Sequence, residues 1–194
     1  MDADRVTLAC ATAAAERAAR RGGARTQRIG LAGGIGLPPG SFVSFGVAGA
    51  LTDDLRCGDV VDADRVVDLE GRTLWEGEPL GVPGARRGTV VAGELIVDLP
   101  AERRALSSRT GGIAVDLESG PLARSGQLHG VVRIISDTPT RPLGELWRSV
   151  DLRGDFRPAG FVRALARSPR GTVRAARDAS RALRSASRAA KALR

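Results

Sequence analysis

Apolar positions in this chain fall into short runs interrupted by glycine, proline and charge, the pattern of strands alternating with helices. Residues 5–11 predict an opening strand, and 12–21, rich in alanine with Glu16 and Arg17, predict a helix after it. A second strand is expected at 26–31, closed by Gly33-Gly34, and Pro38-Pro39-Gly40 forbids a helix before a third at 41–45. Gly46-Val47-Ala48-Gly49 then reads as a turn. Segments 60–61 and 65–68 follow as strands, joined to 72–75 through Leu69-Glu70-Gly71, and 89–91 and 95–97 continue the series. Pro100 suits the first turn of a helix over 100–108, with a strand at 113–115 after it. A helix entered through Pro121 is expected over 118–127, then an almost continuously apolar strand over 130–135. Several strands are apolar on both sides, so the fold class is α/β, with a sheet covered on both faces. No internal repeat is visible.

The last segment follows a different rhythm. Arg163, Arg167, Arg170, Arg174, Arg177, Arg181, Arg184, Arg188 and Lys191 recur at steps of four and three, which places them on one stripe of a helix. Val162, Leu165, Val173, Ala176, Leu183, Ala186, Ala190 and Leu193 fall on another stripe, and Pro169-Arg170-Gly171 divides the segment into a shorter and a longer helix. Charge separates along the same boundary. The chain carries a net +8, yet residues 161–194 hold ten basic groups against Asp178 alone, which leaves the first 160 residues close to neutral. The organisation read from this is one domain over 1–160 and a basic amphipathic helical tail over 161–194. The tail fits adsorption to an anionic membrane surface, and equally a solvated basic face whose Ala/Leu side packs on the domain. Nucleic acid is the weaker partner, because no aromatic side chain interleaves with the basic ones.

Composition narrows the chemistry. The hydrophobic content of 42% suits a cored domain, no run of about 18 apolar residues is present, and the first five residues are mixed in charge, so the expected location is cytoplasmic, with membrane association only through the tail. Cys10 and Cys57 lack any CxxC spacing and read as reduced, buried small residues. His129 is the single histidine, so no metal site built on histidines is expected, and His129 itself reads as a turn residue before a strand.

Two carboxylates stand where open α/β sheets place ligands, at the carboxyl ends of strands. Asp137 follows the apolar run ending at Ile135, and Glu118 follows the run ending at Val115. On position alone, a polar turn and a first-turn helix acid explain them as well. Leu117-Glu118-Ser119, then Ser136-Asp137 after Val132-Arg133-Ile134-Ile135, with Gly46-Val47-Ala48-Gly49 and Gly58-Asp59-Val60 upstream, resemble the ordered motifs of the nucleoside phosphorylase and nucleosidase superfamily. The resemblance is greatest to the hopanoid-associated branch, whose members end in a similar Arg/Ala/Leu-rich helix.

That resemblance implies a mixed central sheet flanked by helices and an enzyme that cleaves the N-glycosidic bond of an adenosyl compound, releasing adenine. Its substrate would be adenosylhopane; the alternatives are a methylthioadenosine/S-adenosylhomocysteine nucleosidase or a non-catalytic nucleoside- or membrane-binding relative. Asp137 would protonate or hydrogen-bond the purine near N7, which needs a carboxyl raised by burial. Glu118 would hold ribose hydroxyls beside Leu117, which stands for the usual methionine. Glu16 would activate water, although a surface helical glutamate is its ordinary explanation. Ser136, Gly46 and Val47 would complete the ribose and nucleophile side, and Ile96 would face the purine in a chain without tyrosine. No cofactor is implied beyond inorganic phosphate as a co-substrate, and relatives form dimers or larger assemblies. The family's helix before the Gly-Val-Ala-Gly strand is replaced by Pro38-Pro39-Gly40.

Overall fold

The apolar runs pair into a single eight-stranded sheet that curls until it meets itself. In the computed structural model, which describes residues 6–194, the elements are β1 (Thr7–Cys10), α1 (Ala13–Arg21), β2 (Arg25–Arg28), β3 (Phe42–Ala50), β4 (Val60–Val67), β5 (Thr73–Glu76), β6 (Arg86–Ala92), α2 (Pro100–Thr110), β7 (Gly112–Asp116), α3 (Ser119–Arg124), β8 (Leu128–Asp137), α4 (Pro158–Arg167) and α5 (Pro169–Ala192). Arg5, the first residue of the expected opening strand, lies outside the described residues. Strand β8 runs between β3 and β4, parallel to the first and antiparallel to the second. Strand β4 pairs with β6, β6 with β7, and β7 returns to β3 through Gly49 and Ala50. Those five strands close a ring, from which β1 and β2 extend beyond β3 and β5 extends beyond β4.

Several expectations change. Gly46-Val47-Ala48-Gly49 is not a turn but the middle of β3. Glycine serves close approach there, since a Cβ at Gly46 would lie 2.8 Å from Nη1 of Arg133, and one at Gly49 would lie 3.0 Å from Oδ2 of Asp137. Segments 60–61 and 65–68 are one strand, β4. Residues 95–97 form a loop, and the helix expected over 118–127 ends at Arg124. His129 is already in β8 rather than in a turn. The Pro-Pro-Gly stretch stays a short connection, preceded only by a 3-10 turn over Leu31–Gly33. Cys10 and Cys57 are buried free thiols, as expected.

The tail is built into the domain. Helix α5 buries Ala182, Ala186, Ala189 and Ala190 in the same apolar cluster as Ala15, Ala18 and Ala19 of α1 and Val132 and Ile134 of β8. Alanine lets the helices approach until Gly22 touches α5: a Cβ at Gly22 would lie 2.6 Å from the Ser187 carbonyl oxygen. The buried face is centred on these alanines, whereas Val162 and Val173 face solvent. Of the apolar stripe expected over 161–194, Ala186 and Ala190 are buried in the core and Leu183 and Leu193 pack against it, so half of the stripe serves the domain, and the arginine row faces outward. Among the described residues no helix is long and apolar enough to cross a membrane.

Gly22→Ala tests this contact. The added methyl group meets α5 backbone that cannot retreat without opening the core, so the variant should lose about 1–3 kcal/mol of stability, read as a lower thermal midpoint. An unchanged midpoint would show that α5 does not press on α1.

Candidate active site

The cavity forms where strands part. Strand β8 occupies one edge of β3 along almost its whole length, so β1 and β7 must share the other, β1 through residues 42–45 and β7 through Gly49 and Ala50. Residues 46–48 lie in the gap, and a cavity of about 130 Å³ opens over them. Gly46, Val47, Ile96, Leu117, Glu118, Ser136 and Asp137, each expected from sequence, all line it. The β3–β8 register slips between Ala48 and Gly49, so that Ala48 faces Ile135 and Gly49 faces Asp137. This bulge at Ser136 turns two successive side chains toward the same cavity, where a regular strand would send them to opposite faces.

Glu16 is not among them. Its carboxylate bonds Arg20 at 2.8 Å and approaches Arg28 at 4.0 Å. The helix carries Ala15 to the cavity wall, and Glu16, about 100° further round, faces away. Its expected role in activating water is corrected accordingly.

Two buried arginines, to which the sequence reading assigned no role, organise the carboxylates. Arg103 of α2 is 1% exposed, lines the cavity and makes an ion pair with Asp137. Its Nε donates to the Val97 carbonyl oxygen at 2.8 Å and its Nη1 to that of Ala50 at 3.2 Å, so the guanidinium ties the 95–97 loop and the end of β3 to Asp137. Ser136 Oγ donates to the other oxygen of Asp137 at 2.6 Å. Burial pushes the Asp137 carboxyl above the ordinary aspartate range, and the nearby Arg103 charge opposes this without cancelling it. The signal was present in sequence: Arg103, Leu106 and Thr110 recur at helical spacing on one buried face of α2.

Arg133 is the charged residue inside the apolar run of β8, and it is fully buried. It pairs with Asp116, approaches Oε2 of Glu118 at 3.4 Å, and donates to Ser44 Oγ at 2.5 Å. Ser119 Oγ donates to Asp116 at 2.5 Å. One guanidinium thus faces two carboxylates. Desolvation raises the Glu118 carboxyl to about 7, with Arg133 lowering it and Asp116 raising it. The Ala32 amide donates to Glu118 at 3.3 Å, which ties the glycine loop to the same carboxylate.

Outward, the cavity shares Leu31, Leu95, Ile96 and Leu117 with an open groove of about 1050 Å³. The groove also carries Trp147, Leu152 and four arginines, Arg148, Arg153, Arg157 and Arg163.

Comparison with solved structures gives the fold a place. The chain superposes on the 5'-methylthioadenosine/S-adenosylhomocysteine nucleosidase of Helicobacter pylori, solved with butyl-thio-DADMe-Immucillin-A, with a TM-score of 0.58 and 15% identity over 100% of this chain and 97% of that one. The corresponding nucleosidase of Neisseria meningitidis, in complex with methylthio-immucillin-A, gives 0.53 and 15% over 97% and 99%. Futalosine hydrolase of Helicobacter pylori gives 0.51 and 14% over 90% and 96%. Sequence comparison adds nothing to this: no family model and no curated protein matches the chain. The chain has the mixed α/β fold of these nucleosidases, with their central sheet flanked by helices.

The raised Glu118 carboxyl has a consequence for stability. A carboxyl whose folded pKa lies above its unfolded value stabilises the fold below the unfolded value and loses that contribution as pH climbs through the folded one. The thermal midpoint should therefore fall between about pH 5 and about pH 8, and Glu118→Gln should flatten most of that fall. An equally steep fall in the variant would show that Glu118 is not the titrating group.

Proposed function

We propose that the protein cleaves the N-glycosidic bond of an adenosyl compound and releases adenine. The observation that carries this is the pair of buried carboxyls, Glu118 and Asp137, facing one small cavity at the glycine-rich gap of β3. Breaking the bond between ribose C1′ and purine N9 sends its electron pair to the base and leaves cationic character on the sugar. Asp137, raised by burial and braced by Ser136 and Arg103, gives its proton to the base at N7. Glu118 holds the ribose hydroxyls and, once ionised, stabilises the sugar cation. Arg103 keeps Asp137 in place as the base departs. Water, as nucleophile, then bonds to C1′ and its proton returns through solvent to the Asp137 carboxylate, restoring the acid; inorganic phosphate in its place bonds through an anionic oxygen and Asp137 regains its proton from solvent.

The groove supports the choice of substrate. A methylthio group on the 5′ carbon would leave most of its roughly 1050 Å³ unused, whereas a large apolar substituent would lie along Leu95, Ile96, Trp147 and Leu152. Adenosylhopane, an adenosyl group on a polycyclic hydrocarbon, has that shape. Methylthioadenosine and S-adenosylhomocysteine are the smaller alternatives for the same chemistry. Substrate delivered by a lipid phase would give the protein a peripheral association with membranes.

A second reading, a protein that binds a nucleoside without turning it over, is favoured by one observation. Ala15 stands at the cavity wall where a water-activating acid would be useful, and Glu16 is engaged with Arg20 instead.

Chromatographic assay of free adenine separates the two. Methylthioadenosine and an adenosine carrying a long 5′-alkyl group should both yield adenine, the second with the lower KM. Asp137→Asn should lower kcat by about a hundredfold or more. Binding of both compounds without adenine release would establish the second reading. Whether the released sugar carries phosphate identifies the nucleophile.

A further inference from the structure

We infer that the face around the mouth of the large groove is a docking surface for an anionic lipid bilayer. The inference does not rest on the nucleosidase reading, because it concerns adhesion and not turnover.

Large apolar side chains are left in water around this mouth. Leu95 is 79% and Leu152 76% exposed, and both line the groove together with half-exposed Trp147. Phe156 and Val162, exposed at 57% and 62%, sit next in sequence to the groove residues Arg157 and Arg163. A monomeric protein rarely gathers so much exposed apolar surface unless something covers it.

Charge identifies what covers it. Arg153, Arg157 and Arg163 line the same groove and make no ion pair among the described residues, while Arg148 pairs with Glu145 at 3.0 Å and lies over the Trp147 ring with its Cζ 4.6 Å from the centroid. Three acids line the groove against four arginines: Glu94 is exposed and without an ion pair among the described residues, and the other two are occupied within the fold. Asp98 accepts from the Leu143 and Gly144 amides, and Asp151 accepts from those of Arg153 and Asp155. Apolar side chains beside guanidinium groups and an indole match the two layers of a bilayer surface, hydrocarbon below and anionic headgroups above. A second copy of this chain fits less well, because a two-fold contact across this face would set the arginines against one another. The surface differs from the one suggested by the tail's periodicity, since α5 exposes arginines but has spent its alanine face on the core.

Flotation of the full chain with vesicles tests this. Vesicles containing phosphatidylglycerol should carry the protein, and vesicles of phosphatidylcholine alone should carry at least about tenfold less. The triple substitution Arg153→Gln, Arg157→Gln and Arg163→Gln should weaken partitioning by about tenfold or more, as should the pair Leu95→Ser and Leu152→Ser, with circular dichroism confirming that each variant is folded. In a Trp75→Phe background, brominated lipid should quench Trp147. Loss of binding on substituting Arg174, Arg177, Arg184 and Arg188 but not the groove arginines would overturn the proposal in favour of α5. A dimer that shields Trp147 and ignores vesicles would overturn it in favour of a second copy. Adenine release without vesicle binding would overturn it and leave the proposed activity standing.

Discussion

Strand β3 has two edges, and three strands claim them. Because β8 takes one edge along almost its full length, β1 and β7 divide the other and cannot meet. The interval they leave, Gly46-Val47-Ala48, is the floor of the cavity. Everything chemical in the molecule stands around that interval: the end of β1 with the start of α1, the end of β7 with Glu118, and the bulged end of β8 with Ser136 and Asp137. The cavity therefore belongs to the topology rather than to any loop, which explains why it persists although the connection before β3 is only a Pro-Pro-Gly stretch. The same geometry explains the glycines. Within a strand they weaken pairing, and here they admit Arg133 and Asp137 against the backbone.

Two guanidinium groups hold this arrangement at considerable electrostatic cost. Burying an ion pair repays its desolvation only with good geometry and further hydrogen bonds. Arg103 meets that condition through Val97, Ala50 and Asp137. Arg133 meets it less completely: Asp116 and Ser44 take Nη2, while Nε and Nη1 have no hydrogen-bond partner among the described residues. A single cation between two carboxylates leaves one negative charge too many for a dry site, and the proton that Glu118 retains up to about pH 7 is the physical result. A fold selected for stability alone would do better with apolar side chains in these places.

Legibility in the sequence followed the range of the interactions. The strand-end carboxylates Glu118 and Asp137 were readable because their positions depend on local periodicity, whereas Ser136, Leu117 and Ile96 came only through the resemblance to the nucleosidases. The alternation of strands and helices was readable for the same reason. What local pattern could not express was the mid-strand use of Gly46 to Gly49, which looks like a turn until Arg133 and Asp137 are known to press on it. Nor could it separate Ala15 from Glu16, neighbours whose directions differ by one helical step. Arg103 and Arg133 were visible as charges on buried faces, yet assigning them partners 34 and 17 residues away requires the fold.

The C-terminal helix shows what periodicity leaves open when packing uses the smallest side chains. An arginine row beside an Ala/Leu stripe fits a membrane-adsorbing helix and a helix packed on the domain alike, and alanine is the residue that allows two helices to touch at the backbone. Helix α5 uses it in that way against α1, and Asp178, the only acid of the tail, binds Arg141 through two bonds of 2.9 Å from a buried position. Arg141 closes the turn that begins at Thr138, directly after Asp137, by exchanging two backbone bonds with it. The chain thus runs from the candidate acid through one tight turn to a clamp on α5. A segment that reads as an appendage in charge and rhythm is in this way part of the frame that fixes where Asp137 points, and its exposed arginines are what remains on the outside of a structural helix.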